Sequence, residues 1–208
     1  VVNLYPFEKT VDKKGNEEEC IENIDIGGPA MIRAASKNYK NVTVVIDQKD
    51  YRRCILELKN NNRSTSLKFR KSLAQFAFSY TSRYDCIISN WMKESFKINS
   101  PKILNISGTL KKELRYGENP HQKASVYLNN DPFFLKLHGK DLSYNNICDM
   151  ESAFNIVNAF KKQNKLAASI IKHANPCGVA VAENGLDAYK KAFLSDPISA
   201  FGGIVSLN

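Results

Sequence analysis

Apolar and polar positions alternate along the chain with two different periods, which predicts helices interleaved with strands. Residues 42–46 form a short, continuously apolar run that is typical of a buried strand. From Ser66 onward, apolar residues recur at helical spacing and predict a long amphipathic helix. Pro29 suits the first position of a helix over residues 30–37. Further helices are expected at residues 50–58 and 85–96. Strands alternating with helices indicate an α/β fold with a mainly parallel sheet.

A second block of alternating elements follows a stretch without periodicity. Residues 97–113 contain Ser-Pro and Ser-Gly pairs and no apolar face. We therefore expect them to link a domain over residues 1–96 to another over residues 114–208. In the second domain the pattern predicts strands at residues 124–128, 168–172 and 201–207, helices at 149–160 and 185–194, and a turn at 129–132. Both ends of the chain read as interrupted strands, so we expect an internal piece of a longer protein.

Composition narrows the class of protein. The 208 residues are 43% hydrophobic and 25% charged, as is usual for globular proteins, and the longest apolar runs have only strand length, so no membrane span is expected. The five cysteines are scattered without a Cys-x-x-Cys pair, which disfavours a disulfide framework or a structural zinc and favours the cytoplasm. The net charge of +9 is spread along the chain, so small phosphorylated or polycarboxylate ligands are favoured over nucleic acid.

The strongest candidate for chemistry is the adjacent pair Lys172 and His173. It follows a buried strand and precedes Asn175 and Pro176, where a bend would let the two side chains converge. Histidine is a natural general base near neutral pH, and lysine supplies a compact cation for a developing oxyanion. A surface lysine beside a core histidine at a strand end remains the alternative.

A zinc-dependent nucleobase deaminase is a rival interpretation of the same segment. Such enzymes combine His-x-Glu with a later Pro-Cys-x-x-Cys. Here Ala174 and Asn175 follow His173, and no second cysteine follows Cys177 at the required spacing. The ligand set cannot be assembled from these residues, so no zinc is expected.

Three ordered motifs in the second domain resemble the transformylase domain of the AICAR transformylase/IMP cyclohydrolase family. Residues 114–122 read Leu-Arg-Tyr-Gly-Glu-Asn-Pro-His-Gln, residues 172–178 read Lys-His-Ala-Asn-Pro-Cys-Gly, and residues 195–203 read Ser-Asp-Pro-Ile-Ser-Ala-Phe-Gly-Gly. The resemblance implies formyl transfer from 10-formyltetrahydrofolate to AICAR. His173 would assist loss of the amine proton, and Lys172 would stabilise charge on the intermediate. The nucleotide-binding residues implied are Arg115, Tyr116, Asn146, Phe201 and Gly202.

The first domain resembles the IMP cyclohydrolase domain of the same family. The resemblance lies in residues 3–7, 24–28 and 33–38, which read Asn-Leu-Tyr-Pro-Phe, Ile-Asp-Ile-Gly-Gly and Arg-Ala-Ala-Ser-Lys-Asn. It assigns ring closure to Tyr5, Asp25 and Lys37, with Asn3 nearby. The backbone N–H groups of Gly27 and Gly28, before a helix that begins at proline, suit an anionic or carbonyl ligand. The family's phosphate-binding loop and a further lysine have no counterpart in this sequence.

The resemblance thus implies the last two steps of IMP synthesis, with AICAR, formyl-AICAR and IMP as ligands and a homodimer as the assembly. It also implies the C-terminal part of a methylglyoxal-synthase-like parallel-sheet domain, followed by the start of a zinc-free cytidine-deaminase-like α/β domain. Two alternatives stay open. One is a nucleotide-binding α/β module without catalysis, and the other is a basic nucleic-acid-binding protein.

Overall fold

The computed structural model describes residues 1–129, 134–161 and 165–208. The chain is α/β and divides into two compact units, Val1–Gly108 and Thr109–Asn208. The division falls inside the stretch that was predicted to be a linker, and the last five residues of that stretch form a strand in the second unit.

The first unit is built from helices. In chain order they are α1 (Phe7–Asp12), α2 (Glu17–Glu22), α3 (Gly27–Lys37), a short 3-10 turn (Gln48–Asp50), α4 (Tyr51–Asn60) and α5 (Leu67–Ser95).

Local sequence explains where these helices begin. Asn16 and Glu19 form a reciprocal capping box at the start of α2. The side chain of Ser66 accepts a hydrogen bond from the backbone N–H of Phe69 and so caps α5. The two helices predicted on either side of residue 82 are one continuous helix of 29 residues. No glycine or proline interrupts it, so the backbone has no reason to break.

The core of the first unit corrects the prediction of a parallel sheet there. Val44, Val45 and Ile46 are buried, as a strand would be, and they pack with Ile32 of α3 and with apolar residues of α5. The segment nevertheless forms no ladder in this fully described unit. The N–H of Val2 donates to the carbonyl of Val45 at 3.0 Å. Apolar burial was correctly predicted, but strand pairing needs partners that periodicity cannot identify.

The second unit combines strands and helices. They are β1 (Thr109–Glu113), β2 (Ser125–Leu128), α6 (Tyr144–Lys161), β3 (Leu166–Lys172), β4 (Asn175–Ala182), α7 (Gly185–Ser195), α8 (Pro197–Ala200) and β5 (Ile204–Leu207). Helix α6 begins five residues earlier than predicted. The predicted turn at residues 129–132 lies mostly outside the described residues.

Both described sheets of this unit are antiparallel, a direction that the predicted α/β pattern had left open. Strand β1 pairs with β2, and the second sheet has the order β4-β3-β5. Strand β4 was missed because its Asn-Pro start is typical of a turn. Two residues join β3 to β4, and a connection that short can only reverse the chain, since parallel neighbours need a long crossover.

Helices cover the central strand β3 and make it the core of the unit. Ala168 and Ile170 pack with Ala188 and Ala192 of α7. Between them, Ser169 is buried and donates from Oγ to the carbonyl of Ala153 in α6 at 3.1 Å. Because side chains alternate along a strand, β3 is covered from both sides. The strand is therefore buried from Ala167 to Ile171, one residue before its end at Lys172.

Candidate functional site

The end of β3 is a strained hairpin turn that carries the predicted catalytic pair. Lys172 pairs with Asn175, so His173 and Ala174 are the two turn residues. Both have positive φ, 54° for His173 and 60° for Ala174, which is the pattern of a type I′ turn. Such turns normally use Asn-Gly, because the left-handed region costs a residue with a Cβ roughly 1–2 kcal/mol. Strain of this kind persists only where the surroundings hold it, and it concentrates at functional sites.

Two hydrogen bonds hold this turn, and a bulge follows it. The side-chain amide of Asn175 donates to the carbonyl of His173 at 2.8 Å. A carboxylate oxygen of Asp149, on α6, accepts from the N–H of Ala174 at 2.6 Å. Directly after the turn, Cys177 is the extra residue of a β-bulge, because Ile170 pairs with Gly178 while Ile171 pairs with Pro176.

Lys172 is half-buried and anchored by a neighbouring loop. Its Nζ donates to the carbonyl of Phe201 at 3.1 Å. That carbonyl follows the single turn α8, where Asp196 accepts from the N–H of Ser199 at 3.0 Å. The hydrogen bonds from Ser199 lower the pKa of Asp196, and the nearby charge of Lys172 lowers it further. The next residue of the loop, Gly202, has a φ of +76°, a conformation that favours glycine.

Lys172 and His173 line the same open cleft of about 440 Å³. The imidazole is exposed, and the cleft is also lined by Asn175, Pro176, Cys177, Asp196 and Ser199. The ammonium of Lys172 and the imidazole of His173 are therefore available to the same cleft. The bend was expected at Asn175 and Pro176, whereas the chain reverses two residues earlier, at His173 and Ala174.

Arg115 and Tyr116 form a stacked pair on the segment after β1. The guanidinium carbon of Arg115 lies 4.8 Å from the centre of the Tyr116 ring, and its Nη2 donates to the phenol oxygen at 3.2 Å. A hydrogen bond with Ser143 lowers the pKa of Tyr116, and Arg115 adds to the effect. The pair keeps the exposed guanidinium in one orientation.

The first two turns of α6 carry Asn146 and are hydrogen-bonded both to Tyr116 and to the turn that contains His173. The N–H of Tyr144 donates to the carbonyl of Tyr116 at 3.2 Å. The side-chain carbonyl of Asn146 accepts from both the N–H and the hydroxyl of Ser143 at 3.0 Å. Three residues later on the same helix, Asp149 holds the turn at Ala174. Arg115, Tyr116, Asn146 and Phe201 do not line the 440 Å³ cleft itself.

In the first unit, Asp25 joins two of the predicted segments. One carboxylate oxygen accepts from the N–H of Tyr5 at 3.2 Å and the other from the N–H of Gly28 at 2.6 Å. A Cβ at Gly28 would lie only 2.5 Å from Cδ2 of Leu4, so any larger residue there would have to displace that side chain. The N–H of Gly28 is thus used by Asp25, while Gly27 is exposed with open space around it.

Tyr5 and Asn3 line an open cavity of about 410 Å³. Asn3 is fixed from both ends of its amide, because Nδ2 donates to the carbonyl of Ile46 at 2.8 Å and Oδ1 accepts from the hydroxyl of Tyr51 at 2.9 Å. Arg83 also lines the cavity and pairs with Glu8 at 2.7 Å. Sequence reasoning missed Tyr51 and Arg83, because no motif or spacing links residues so far apart.

Lys37 is not brought to Tyr5 and Asp25 by its own helix. It is the exposed last residue of α3, ten residues after Gly27. At 1.5 Å per residue, this places its backbone about 15 Å along the axis from the start of the helix.

The described residues lack two kinds of feature. They contain no group of three or more His, Cys, Asp or Glu side chains suited to hold a metal ion. None of their helices is both long and apolar enough to cross a membrane.

Known proteins resemble this chain over its whole length. The bifunctional purine biosynthesis protein PurH of Ruegeria pomeroyi is 52% identical over 100% of this chain and 40% of its own length. The proteins of that name from Bradyrhizobium diazoefficiens and Bartonella tribocorum are 49% and 50% identical over the same shares. The chain therefore spans about 40% of the length of these curated relatives. A profile described as AICARFT/IMPCHase bienzyme matches residues 35–208, and the chain accordingly belongs to the AICARFT/IMPCHase bienzyme family.

Proposed function

We propose that this chain contributes parts of two active sites to a longer protein that performs the last two steps of IMP synthesis. The second unit supplies the formyl-transfer pair, and the first unit supplies residues for ring closure. One observation carries the proposal. Lys172 and His173 line a single cleft from a strained turn, with the lysine anchored to the loop at Phe201.

In the first step the exocyclic amine nitrogen of AICAR attacks the formyl carbon of 10-formyltetrahydrofolate. A C–N bond forms, and the carbonyl electrons move to oxygen. His173 accepts the amine proton. When the carbonyl re-forms, the bond from the formyl carbon to N10 of the folate breaks, and N10 takes up a proton to give tetrahydrofolate. No oxidant or reductant is needed.

Lys172 is suited to stabilise the negative oxygen of this intermediate. A lysine ammonium has three N–H donors, and one of them is used by the Phe201 carbonyl. Within the described part of the chain the other two donors have no partner and remain for a ligand, while the anchored ammonium needs little reorganisation during the reaction. Its positive charge can also favour protonation of the departing N10.

The remaining predicted residues of the second unit suit nucleotide binding. The forked donors of Arg115 match a phosphate or carboxamide, and stacking on Tyr116 preorganises them. Asn146 and the backbone at Gly202 would add contacts to the nucleotide, and the exposed Phe201 ring would add apolar surface.

For ring closure, the carboxamide nitrogen of formyl-AICAR attacks the formyl carbon, and water leaves. Tyr5, Asp25 and Lys37 are proposed as the catalytic residues, with Asn3, Gly27 and Gly28 around the substrate. Asp25 fixes the backbone of Tyr5, which leaves the phenol exposed towards the cavity. Lys37 would act from the far end of α3.

The wider assignments follow from family membership. We propose a methylglyoxal-synthase-like domain that includes residues 1–96, a linker at 97–113, and a zinc-free cytidine-deaminase-like domain from 114 onward. The protein would act in the cytoplasm as a homodimer. Its ligands would be AICAR, formyl-AICAR, IMP and the folate co-substrate, with no nucleic acid, membrane or zinc involved.

The experiment is a pair of substitutions in the full-length protein that contains this chain. His173→Ala should lower the rate of formyl transfer ~100- to ~10,000-fold, the usual contribution of an acid–base group, with AICAR binding within several-fold. Lys172→Arg should also lose formyl transfer, because the planar guanidinium of arginine cannot replace a compact ammonium. Ring closure of preformed formyl-AICAR should be unchanged in both variants.

His138→Ala is the matched control, since His138 is an exposed histidine outside the proposed sites. It should leave both reactions at the parental rate. Formyl transfer at near the parental rate in His173→Ala would refute the assignment of the base.

A further inference from the structure

We propose that Asp149 is a positioning residue for His173 in the formyl-transfer site. It would act through the backbone, by holding the turn that presents the imidazole to the cleft. The inference rests on the proposed function, because it takes His173 to be the general base.

The contact itself satisfies a backbone donor that the hairpin leaves open. In a two-residue turn, the strand partners Lys172 and Asn175 pair with each other, and the turn residues have no place in the ladder. The N–H of Ala174 is bound instead by a carboxylate oxygen of Asp149 at 2.6 Å. A charged acceptor makes a stronger hydrogen bond than a neutral one, so this contact suits a backbone held under strain.

The contact with Asp149 stabilises a turn whose backbone is strained. His173 and Ala174 both occupy the left-handed region, and alanine has no side-chain hydrogen bond to compensate for it. The clamp between Asn175 and the His173 carbonyl is local to the turn. Asp149 lies 25 residues earlier in the chain and ties the turn to α6, a helix packed on β3.

The same helix also carries Asn146, one turn before Asp149. Residues three apart lie on one face of a helix, so α6 sets the nucleotide-binding residue and the turn of the base in a common frame. Asp149 does not line the cleft of Lys172 and His173. It is therefore placed to align His173 and not to touch the reacting atoms. Misplacement of a catalytic group by about 1 Å can cost ~100-fold in rate.

The test uses four variants of the full-length protein. Asp149→Ala should lower the kcat of formyl transfer roughly 10- to 100-fold and leave the KM for AICAR within about threefold, because alignment is lost and binding is kept. Asp149→Asn keeps an oxygen acceptor and should lose less than about tenfold. Asp149→Ala should lower kcat much less when it is made in the Ala174→Gly variant than when it is made in the parent. The reason is that glycine adopts positive φ without strain, so the turn no longer needs the carboxylate.

Glu151→Ala is the matched control, because it removes an exposed carboxylate from the same helix. A retained KM for AICAR reports folding of the second unit in every variant, and ring closure of preformed formyl-AICAR, assigned to the first unit, should not change. A kcat of Asp149→Ala within twofold of the parent would overturn the inference. So would a raised KM at unchanged kcat, or no recovery with glycine at position 174. An active His173→Ala would instead refute the proposed function, so the two failures are distinguishable.

Discussion

The two units differ in how their candidate residues are brought together. In the second unit, the turn at His173 and the segment of Tyr116 are both hydrogen-bonded to α6, and Lys172 is bonded to the loop at Phe201. In the first unit, Asp25 joins Tyr5 to Gly28, but Lys37 stands at the other end of α3. One set of residues is connected by a scaffold, and the other is connected only in part.

The difference shows what a helix can and cannot align. Helix α6 contributes contacts from consecutive turns on one face, so distant segments of chain meet at a common element. Helix α3 carries its candidate residues at opposite ends, and a rigid rod keeps them about 15 Å apart. We therefore expect formyl transfer to depend strongly on contacts within the second unit. Ring closure should depend less on contacts within the first unit, because those contacts do not join all of its candidate residues.

The largest expected effect tests the independence of the two sites. Tyr5→Phe removes one hydroxyl and should lower ring closure at least ~100-fold if the phenol serves as an acid or base. Formyl transfer should stay within twofold, because no contact between the sites is required. The measurement is the conversion of preformed formyl-AICAR to IMP, with formyl transfer followed separately.

Parental ring closure in Tyr5→Phe would remove the phenol from the mechanism. Lys37→Ala sharpens the same comparison, since Lys37 lies at the far end of α3. A loss of ring closure there would show that the site extends along the helix, and an unchanged rate would leave Lys37 as a helix-end cation.

A second prediction compares the packing of two glycines. A Cβ at Gly178 would lie 1.9 Å from the carbonyl oxygen of Ala192, a backbone atom that cannot move alone. At Gly28 the near atoms are the side-chain ends of Leu4 and Asp25, which can shift. Gly178→Ala should therefore destabilise the second unit by about 3 kcal/mol or more, and Gly28→Ala should cost the first unit about 1 kcal/mol.

Hydrogen exchange of peptides from each unit measures these two effects separately. Gly185→Ala is the control, because nothing lies within 4 Å of its added Cβ. Equal losses at Gly178 and Gly28 would show that the second unit is no more tightly packed than the first.

A smaller effect concerns the cap of α8 beside Lys172. The pKa of Asp196 is lowered, so its carboxylate adds stability at any pH above the ordinary carboxyl range. That contribution is lost as the pH falls through the lowered pKa. In Asp196→Asn, the asparagine can still cap the helix but does not titrate. This variant should therefore not lose that stability at low pH. Melting temperatures of both proteins from pH 7 to below about pH 4 give the comparison; a constant difference would contradict it.

The smallest effect is expected at Cys177. It lies in the cleft as the bulge residue after the turn, and its thiol is free. Cys177→Ala should leave formyl transfer nearly intact, because the residue packs and takes no part in the chemistry. Metal analysis should find no stoichiometric zinc. Zinc that disappears in Cys177→Ser would overturn this expectation.

The sequence predicted some parts of the fold well and others poorly. Apolar burial at Val44–Ile46 and the helical periodicity after Ser66 follow from side-chain patterns, and both are present. Strand β4 was missed, and the parallel sheet predicted for the first unit is not formed by its residues. Direction depends on which segments pair, and a sequence pattern does not report pairing.

The candidate residues themselves are carried by short motifs, so the sequence alone determined the identity of the pair at 172 and 173 and the family of the chain. Only the tertiary structure decided that this pair sits on a strained turn, that Asp149 binds the turn, and that Lys172 donates to Phe201. These contacts join residues 25 and 29 positions apart. The physical reason is that motifs are local in the chain, whereas a site is assembled by packing between elements that are distant in it.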